Sequence, residues 1–279
     1  MRTLVAPGRS RTGYVVALVV TTVVLTAVFV LPLVWVVLSA MKPAVELARV
    51  PPTVLPETWT PGTYAEAWDM MDLGTYFRNT LVVAVGTWAV QLAVDVPAAY
   101  ALSRLRPVLG RGILGMMLVT LMVPAAVLLV PTYMTIADLG LLNNPLSLWL
   151  LGAANAFTVF LLKRFFDQLP VEVLEAARID GANQLTMLWR VVLPLSRPIL
   201  AVVSIFAVVA AWKDFIWPLL VFSDPARQTL SVALQRFAPD TPVNLLLAGL
   251  VLSSLPVVAL FLVFQRHVLA GLTAGGVKG

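Results

Sequence analysis

The sequence predicts an all-α membrane protein with six transmembrane helices. Two observations carry this. Hydrophobic residues make up 60% of the chain against 12% charged, and they gather into six runs, each near the roughly 20 residues that cross a bilayer. A soluble domain needs about a quarter of its residues charged to cover its surface, so a mean hydropathy of +0.93 excludes one.

The runs lie at 14–40, 79–102, 112–136, 145–165, 198–222 and 243–265. The first is too long for the core of a signal peptide and lacks a small-x-small cleavage site before Met41, so it is expected to remain as a span. An even number of spans puts both termini on one side. Loops and tails on that side carry Arg2, Arg9, Arg11, Arg104, Arg106, Arg111, Lys163, Arg164, Arg178, Arg190, Arg197, Arg266 and Lys278. The other side carries only Lys42, Arg49, Arg78, Arg227 and Arg236. The positive-inside rule makes the first side cytoplasmic. The expected organisation is therefore a cytoplasmic tail at 1–13 and a transmembrane domain at 14–279, with an external loop near 41–78 and a cytoplasmic loop near 165–198.

Several function classes fall away. The net charge of +5 is spread over short loops and forms no basic patch, which fits membrane orientation and not nucleic acid. Without cysteine there is no disulfide, thiolate metal site or thiol nucleophile. His267 stands alone in sequence and is expected at a membrane interface, not as a metal ligand. No G-x-x-x-x-G-K-[ST] phosphate loop occurs, so the energy that drives the protein must come from a partner.

The 165–198 loop reads as a compact helical hairpin. Pro170 suits the first turn of a short helix, and Gly181 suits a left-handed stop. Leu185, Leu188, Trp189, Val192 and Leu193 then recur at helical spacing on one face. Asp180 is placed to cap this second helix and Pro194 to end it.

Polar residues also occur inside the spans. Thr87, Gln91 and Asp95 are spaced by four and share a helix face. A carboxylate near mid-span costs on the order of 2.5–3.5 kcal/mol, so Asp95 should face protein or water. Two readings stand: a wet translocation path, or hydrogen bonding to a neighbouring helix. In the outer segments, 41–78 should hold a short helix near Ala65-Glu66-Ala67, and 223–242 could rest Leu230, Val232, Leu234 and Phe237 on the bundle.

Glu175-Ala176-Ala177, Asp180-Gly181-Ala182 and Leu193-Pro194-Leu195 together resemble the EAA motif of ABC importer permeases, the cytoplasmic loop that docks on the ATPase subunit. Asn79-Thr80-Leu81, the segment from Ala98 to Arg104, Leu139-Gly140-Leu141 and Gln265-Arg266 are similar to the carbohydrate branch. The tail Gly275-Gly276-Val277-Lys278-Gly279 resembles that of the second permease of maltose-type sugar importers.

The resemblance implies a type I ABC importer transmembrane domain, multi-pass in the bacterial cytoplasmic membrane. It implies import of a sugar or sugar-like solute by alternating access, without catalysis by this chain. Implied partners are a second permease subunit, two ATP-binding subunits, an extracytoplasmic solute-binding protein and membrane lipid; ATP-Mg is used by the ATPases, and no cofactor is bound here. It assigns coupling to Glu175, Ala176, Ala177, Asp180, Gly181, Ala182, Leu185, Leu188 and Trp189.

At Trp212-Lys213-Asp214-Phe215 the family usually shows Trp-Asn-Asp or Trp-Asn-Glu, so Trp212, Asp214 and Phe215 match and Lys213 departs. These four join Thr87, Gln91 and Asp95 as path candidates. On a continuous helix Lys213 and Asp214 lie about 100° apart and need separate partners. Lys213 either snorkels to the interface or faces the path and favours an anionic solute. Alternatives are an ion-coupled secondary transporter or channel subunit using Asp95 and Asp214 as relay sites, or an ABC permease for a non-sugar solute.

Overall fold

The computed structural model describes residues 11–274, with side chains over 13–265. Arg2, Arg9, the Gly275–Gly279 tail and the side chains of Arg11, Arg266 and His267 lie outside the described residues. Every regular element described is helical. Three helices are long and apolar enough to cross a membrane unbroken, Gly13–Ala40, Leu73–Leu105 and Val243–Gln265, and three bent helix pairs complete six candidate spans.

The chain divides into two compact units, Met1–Met71 with Phe237–Leu252, and Asp72–Arg236 with Ser253–Gly279. The first contains α1 (Arg11–Ala40), α2 (Ala44–Leu47) and α3 (Thr63–Met70), the last of these being the short helix expected near Ala65-Glu66-Ala67. The loop is ordered by buried polar groups. Lys42 is 1% and Glu46 4% exposed. The Lys42 ammonium donates to the carbonyl and hydroxyl of Thr53 at 2.5 and 3.1 Å and lies 4.9 Å from the Trp35 ring centre. The Thr53 hydroxyl in turn donates to Glu46 at 2.6 Å, and the Glu57 N–H reaches the same carboxylate oxygen at 3.1 Å. A buried acid and a buried base thus share one threonine, so neither charge is stranded. Met41 O accepts the Thr60 N–H at 2.9 Å and Val37 O the Tyr64 hydroxyl at 3.0 Å, which pins the loop back onto the end of α1.

The second unit is built on α4 (Leu73–Tyr100), which continues through a wider π-helical turn, Ala101–Leu105. The span therefore runs six residues further toward its start than the apolar run 79–102 suggested. Arg106 ends it at φ 48°.

The third span is predicted as one helix over 112–136 but is two, α5 (Gly110–Thr120) and α6 (Ala125–Asp138), bent by 100°. Pro124 supplies the cause: it has no N–H to donate and forces the residue before it out of the helical region. The fourth span is α7 (Pro145–Leu151) and α8 (Ala156–Asp167), bent by 53°. Each half has its own asparagine cap, Asn144 Oδ1 accepting the Leu146 N–H and Asn155 Oδ1 the Thr158 N–H, both at 3.0 Å. Two small-residue contacts bring α7 against α4. A Cβ on Gly86 would lie 2.1 Å from the Trp149 indole, and one on Gly152 would lie 2.3 Å from Thr87 Cγ2. Trp149 Nε1 donates to Val82 O at 3.2 Å.

After the hairpin described below comes α12 (Arg197–Lys213), the main partner of α4. The predicted fifth span, 198–222, is not one helix. Asp214 is extended at ψ 131°, and a short helix restarts at Ile216–Val221. The segment after it, up to Arg236, lies on α4 as expected, with Leu230, Val232 and Leu234 buried; Phe237, in the other unit, is half-buried. Asn79 donates to Ala226 O and Gln228 O at 2.8 and 3.0 Å, and Thr80 Oγ1 accepts the Leu230 N–H at 2.8 Å. The Asn79-Thr80 pair at the start of the second apolar run thus anchors the segment 226–230, about 150 residues away in sequence. Val83, Ile136, Leu148, Val221 and Phe222 form the small apolar core beneath it.

Candidate functional site

Two sites emerge within the second unit. The first is the hairpin. Pro170 precedes α9 (Val171–Ile179) as its cap residue, one position before the expected first turn. Gly181 turns the chain at φ 84°, as its position suggested. The Ala182 N–H returns to Ala177 O at 2.9 Å and the Gly181 N–H to Arg178 O at 3.0 Å, closing the turn on the Glu175-Ala176-Ala177 helix.

Asp180 does not cap the second helix. It ends α9, and Asn183 takes the cap, its Oδ1 accepting the Thr186 N–H at 2.8 Å. An asparagine reaches forward to the N–H three residues on as an aspartate would, but the left-handed turn at Gly181 leaves Asp180 on the wrong side of it. The second helix begins as α10 (Gln184–Thr186), passes into a π-helical stretch, Met187–Val192, and ends in α11 (Leu193–Leu195). Pro194 lies inside that last turn, and the break comes at Ser196, where the chain bends 84° into α12.

The π stretch changes which residues face inward. A uniform 3.6-residue period joins Leu185, Leu188, Trp189, Val192 and Leu193 in one stripe. In the structure Leu188 and Val192 are buried with Met187, whereas Leu185 and Trp189 are 69% and 66% exposed. Wider winding splits the stripe in two. Leu188 therefore belongs to the core and not to an outward contact, a correction to its place among the coupling residues. With Leu174, Met187 and Val192 it packs against Val96, Ala99 and Tyr100 of α4 and against Val159, Leu162 and Phe166 of α8. Burying each such side chain contributes about 1.5–3 kcal/mol.

Polar contacts add to this hold. The Tyr100 hydroxyl donates to Gln184 Oε1 at 2.7 Å. Arg104 donates to Phe166 O and, at 3.0 Å, to Leu169 O, capping the last carbonyls before the hairpin. Ser103 donates to Asp167 at 2.7 Å, which also pairs with Lys163. Tyr100 and Arg104 were within reach of sequence reading only through the segment from Ala98 to Arg104; nothing in their spacing marks them as partners of residues 62–84 positions later. What remains outside is a surface of Ile179, Leu185 and Trp189 beside Glu175, Ala176, Asp180 and Gly181, all exposed. Ala177 and Ala182 are half-buried against the core.

The second site is an open cavity of about 790 Å³. Thr87 and Gln91 of α4 line it, with Ala125 at the start of α6, Gly152 and Asn155 at the break of the fourth span, and Lys213 and Asp214 at the end of α12. Interruptions of three spans meet at one space. Lys213 is exposed to it and has no ion-pair partner among the described residues. Asp214 accepts the Trp217 N–H at 3.5 Å, and its carbonyl accepts the Ser231 hydroxyl at 2.7 Å.

Asp95 does not reach the cavity. It is 0% exposed and accepts the Asn155 N–H at 3.1 Å through one oxygen, while the other has no partner. Its neighbour Gln91 donates to the Thr158 hydroxyl at 3.0 Å. The stripe thus serves both readings, Thr87 and Gln91 bordering the cavity and Gln91 and Asp95 bonding to the fourth span. Trp212 and Phe215 also lie off the cavity. The Trp212 ring meets Phe77 edge-on at 5.7 Å, and its Nε1 donates to Ser253 O at 3.1 Å. Among the described residues no group of three His, Asp or Glu side chains could hold a metal ion.

Comparison with known proteins agrees with this geometry. The chain is 34% identical over 249 residues to the inner membrane ABC transporter permease protein YcjP of Escherichia coli, covering 87% of this chain and 89% of that protein. It is 34% identical over 227 residues to the maltodextrin transport system permease protein MdxG of Bacillus subtilis, covering 80% and 82%. A crystal structure of a bacterial ABC transporter involved in the import of the acidic polysaccharide alginate contains a chain that matches with a TM-score of 0.82 at 25% identity, covering 94% of this chain and 99% of that one. Residues 96–273, from Val96 through the hairpin and the last span, match the family of binding-protein-dependent transport system inner membrane components, and the chain belongs to that family as a multi-pass permease of an ABC importer, not an enzyme.

Proposed function

We propose that this permease forms half of the translocation path for a sugar or sugar-like solute, with both termini cytoplasmic and the hairpin seated on an ATPase subunit. The observation that carries the coupling assignment is the division of the hairpin into two faces. Leu174, Met187, Leu188 and Val192 fasten it to α4 and α8, while Ile179, Leu185 and Trp189 are left exposed next to Glu175 and Gly181. Exposed large apolar side chains on a rigid hairpin fit a partner's cleft, and their attachment to two spans lets motion of that partner rotate the bundle. A second permease, two ATP-binding subunits using ATP-Mg and an external solute-binding protein complete the assembly in this reading. The transmembrane domain is taken as residues 14–279, preceded by a short cytoplasmic tail.

The meeting of three interrupted spans supports the cavity as the path, because backbone left out of helices within a membrane is tolerated where it lines a polar space. Maltodextrin and alginate, named for two similar proteins, support a carbohydrate. Lys213, unpaired on the cavity, favours a solute bearing a carboxylate, sulfate or phosphate group.

Copurification tests the coupling face. Trp189→Asp with Leu185→Asp should lose the ATPase subunit while leaving the chain in the membrane with its partner permease. Gly181→Val should have a similar effect by straining a left-handed residue by about 1–2 kcal/mol. Normal ATPase recovery and normal uptake in these variants would reject the assignment.

A further inference from the structure

We infer that the turn between the second and third spans holds a binding site for an anionic phospholipid headgroup. An open cavity of about 660 Å³ lies between the π-helical end of α4, the first turn of α5 and the last turns of α8. Its charged lining is Arg106, Arg111, Lys163 and Asp167. Asp167 is already engaged, pairing with Lys163 at 2.7 Å and accepting the Ser103 hydroxyl at 2.7 Å. The two arginines are not. Arg106 makes one long contact, Nε to Ser103 O at 3.4 Å, and Arg111 has no ion-pair partner among the described residues. Arg104, two residues earlier, shows the contrast, since its guanidinium is used up on the carbonyls of Phe166 and Leu169.

Two arginines with unfilled donors therefore border one space. The left-handed Arg106 backbone, at φ 48°, is fixed by its N–H to Ala101 O at 3.0 Å, so the first of them is held in place by the span's own end.

The rest of the site decides between a lipid and a free anion. Leu102, Pro107, Val108 and Leu114 share the lining with the cations, and Val108 and Leu109 are 102% and 73% exposed. A cavity with guanidinium groups and aliphatic walls, at the end of a span, matches a phosphodiester with its glycerol and upper acyl carbons. A free phosphate would gain nothing from the aliphatic half. Planar guanidinium forks suit the two unesterified oxygens of a phosphodiester.

The test uses the assembled importer, purified in mild detergent and titrated with phosphatidylglycerol or phosphatidylcholine under native mass spectrometry. Phosphatidylglycerol should be retained on this chain about tenfold more tightly than phosphatidylcholine. Arg106→Gln with Arg111→Gln should abolish the preference, and inorganic phosphate in large excess should not displace the lipid. Arg111→Gln alone, on an exposed helical turn, leaves the left-handed turn intact and should still weaken retention several-fold; it serves where the double variant fails to assemble. Equal retention of the two lipids, or equal phosphatidylglycerol retention by wild type and Arg111→Gln, would overturn the site. Displacement by inorganic phosphate would overturn the lipid as its occupant.

Discussion

Lys213 is the side chain whose surroundings bear most directly on what is carried. An ammonium only donates hydrogen bonds, whereas an asparagine at the same place could also accept them. Its neighbour Asp214 is turned toward the Trp217 N–H, and Thr87 and Gln91 across the cavity are uncharged. Lys213→Asn should lower uptake of an anionic solute selectively, by tenfold or more if one charged hydrogen bond of about 1.5–3 kcal/mol is lost, with ATPase copurification unchanged. Unchanged kinetics and unchanged preference between neutral and anionic solutes would leave the lysine with no role on the path. Asp95 does a different job: its carboxylate accepts the Asn155 N–H at the break of the fourth span. Asp95→Asn can keep that acceptor. Asp95→Leu removes it and should cost about 1–3 kcal/mol for the buried donor left unmatched, read as a lower unfolding midpoint in detergent than for Asp95→Asn. Equal midpoints would show that this bond contributes nothing.

At the scale of elements, the ordered loop at 41–60 gives a pH dependence. The Thr53 hydroxyl, the largest influence, and the Glu57 and Thr58 N–H groups hold the Glu46 carboxyl below its usual value of 4.5. A depressed folded-state value means that the loop gains stability from this group above the unfolded value and loses it as pH falls through the folded one. Hydrogen exchange over residues 41–60, corrected for intrinsic rates, should therefore accelerate progressively once pH falls below the usual carboxyl value of 4.5. Glu46→Gln should show faster exchange already at neutral pH and no further acid step; an unchanged wild-type profile down to pH 3 would disprove the role.

How much of these elements was legible in the sequence follows from the physics of each. The hairpin's turn could be read because a positive φ selects glycine, and the short helix Thr63–Met70 because the proline-rich stretch ending at Pro61 delimits its start. The face of Leu185 and Trp189 could not, since a π-helical stretch has a different period and no residue type announces it. The break at 121–124 was marked in the sequence by Pro124, which can kink a span; that at 214–215 was hidden because an apolar run reports only that a segment is buried in lipid or protein, not that it is one helix. The cavity was half legible: Thr87 and Gln91 share a face by spacing, and Lys213 and Asp214 were reached through the family resemblance, but Gly152 and Asn155 reach it from chain about 60 residues away, and one sequence carries no record of such pairings.

For the whole molecule, orientation ties the two proposed sites together. Six spans with cytoplasmic termini put the hairpin where ATP is and the 41–60 loop where a solute-binding protein is; the reverse orientation would leave the exposed Leu185 and Trp189 facing a compartment without an ATPase. The charge asymmetry that supports this orientation includes Arg104, Arg106, Lys163 and Arg178, all within or beside the hairpin and its supports. The chain has no cysteine, so one introduced thiol reports on one place. Asp180→Cys and Thr58→Cys, both at exposed positions, serve as the pair, probed with a membrane-impermeant maleimide in intact cells and in inverted vesicles. Asp180→Cys should label only in inverted vesicles and Thr58→Cys only in intact cells. Labelling of Asp180→Cys from outside would reverse the topology, and with it the reading of the hairpin as an ATPase contact. Labelling of both from one side would instead mean an even number of crossings between them, removing one of the two bent pairs that lie between these positions from the count of spans while leaving the hairpin's own two faces as they are.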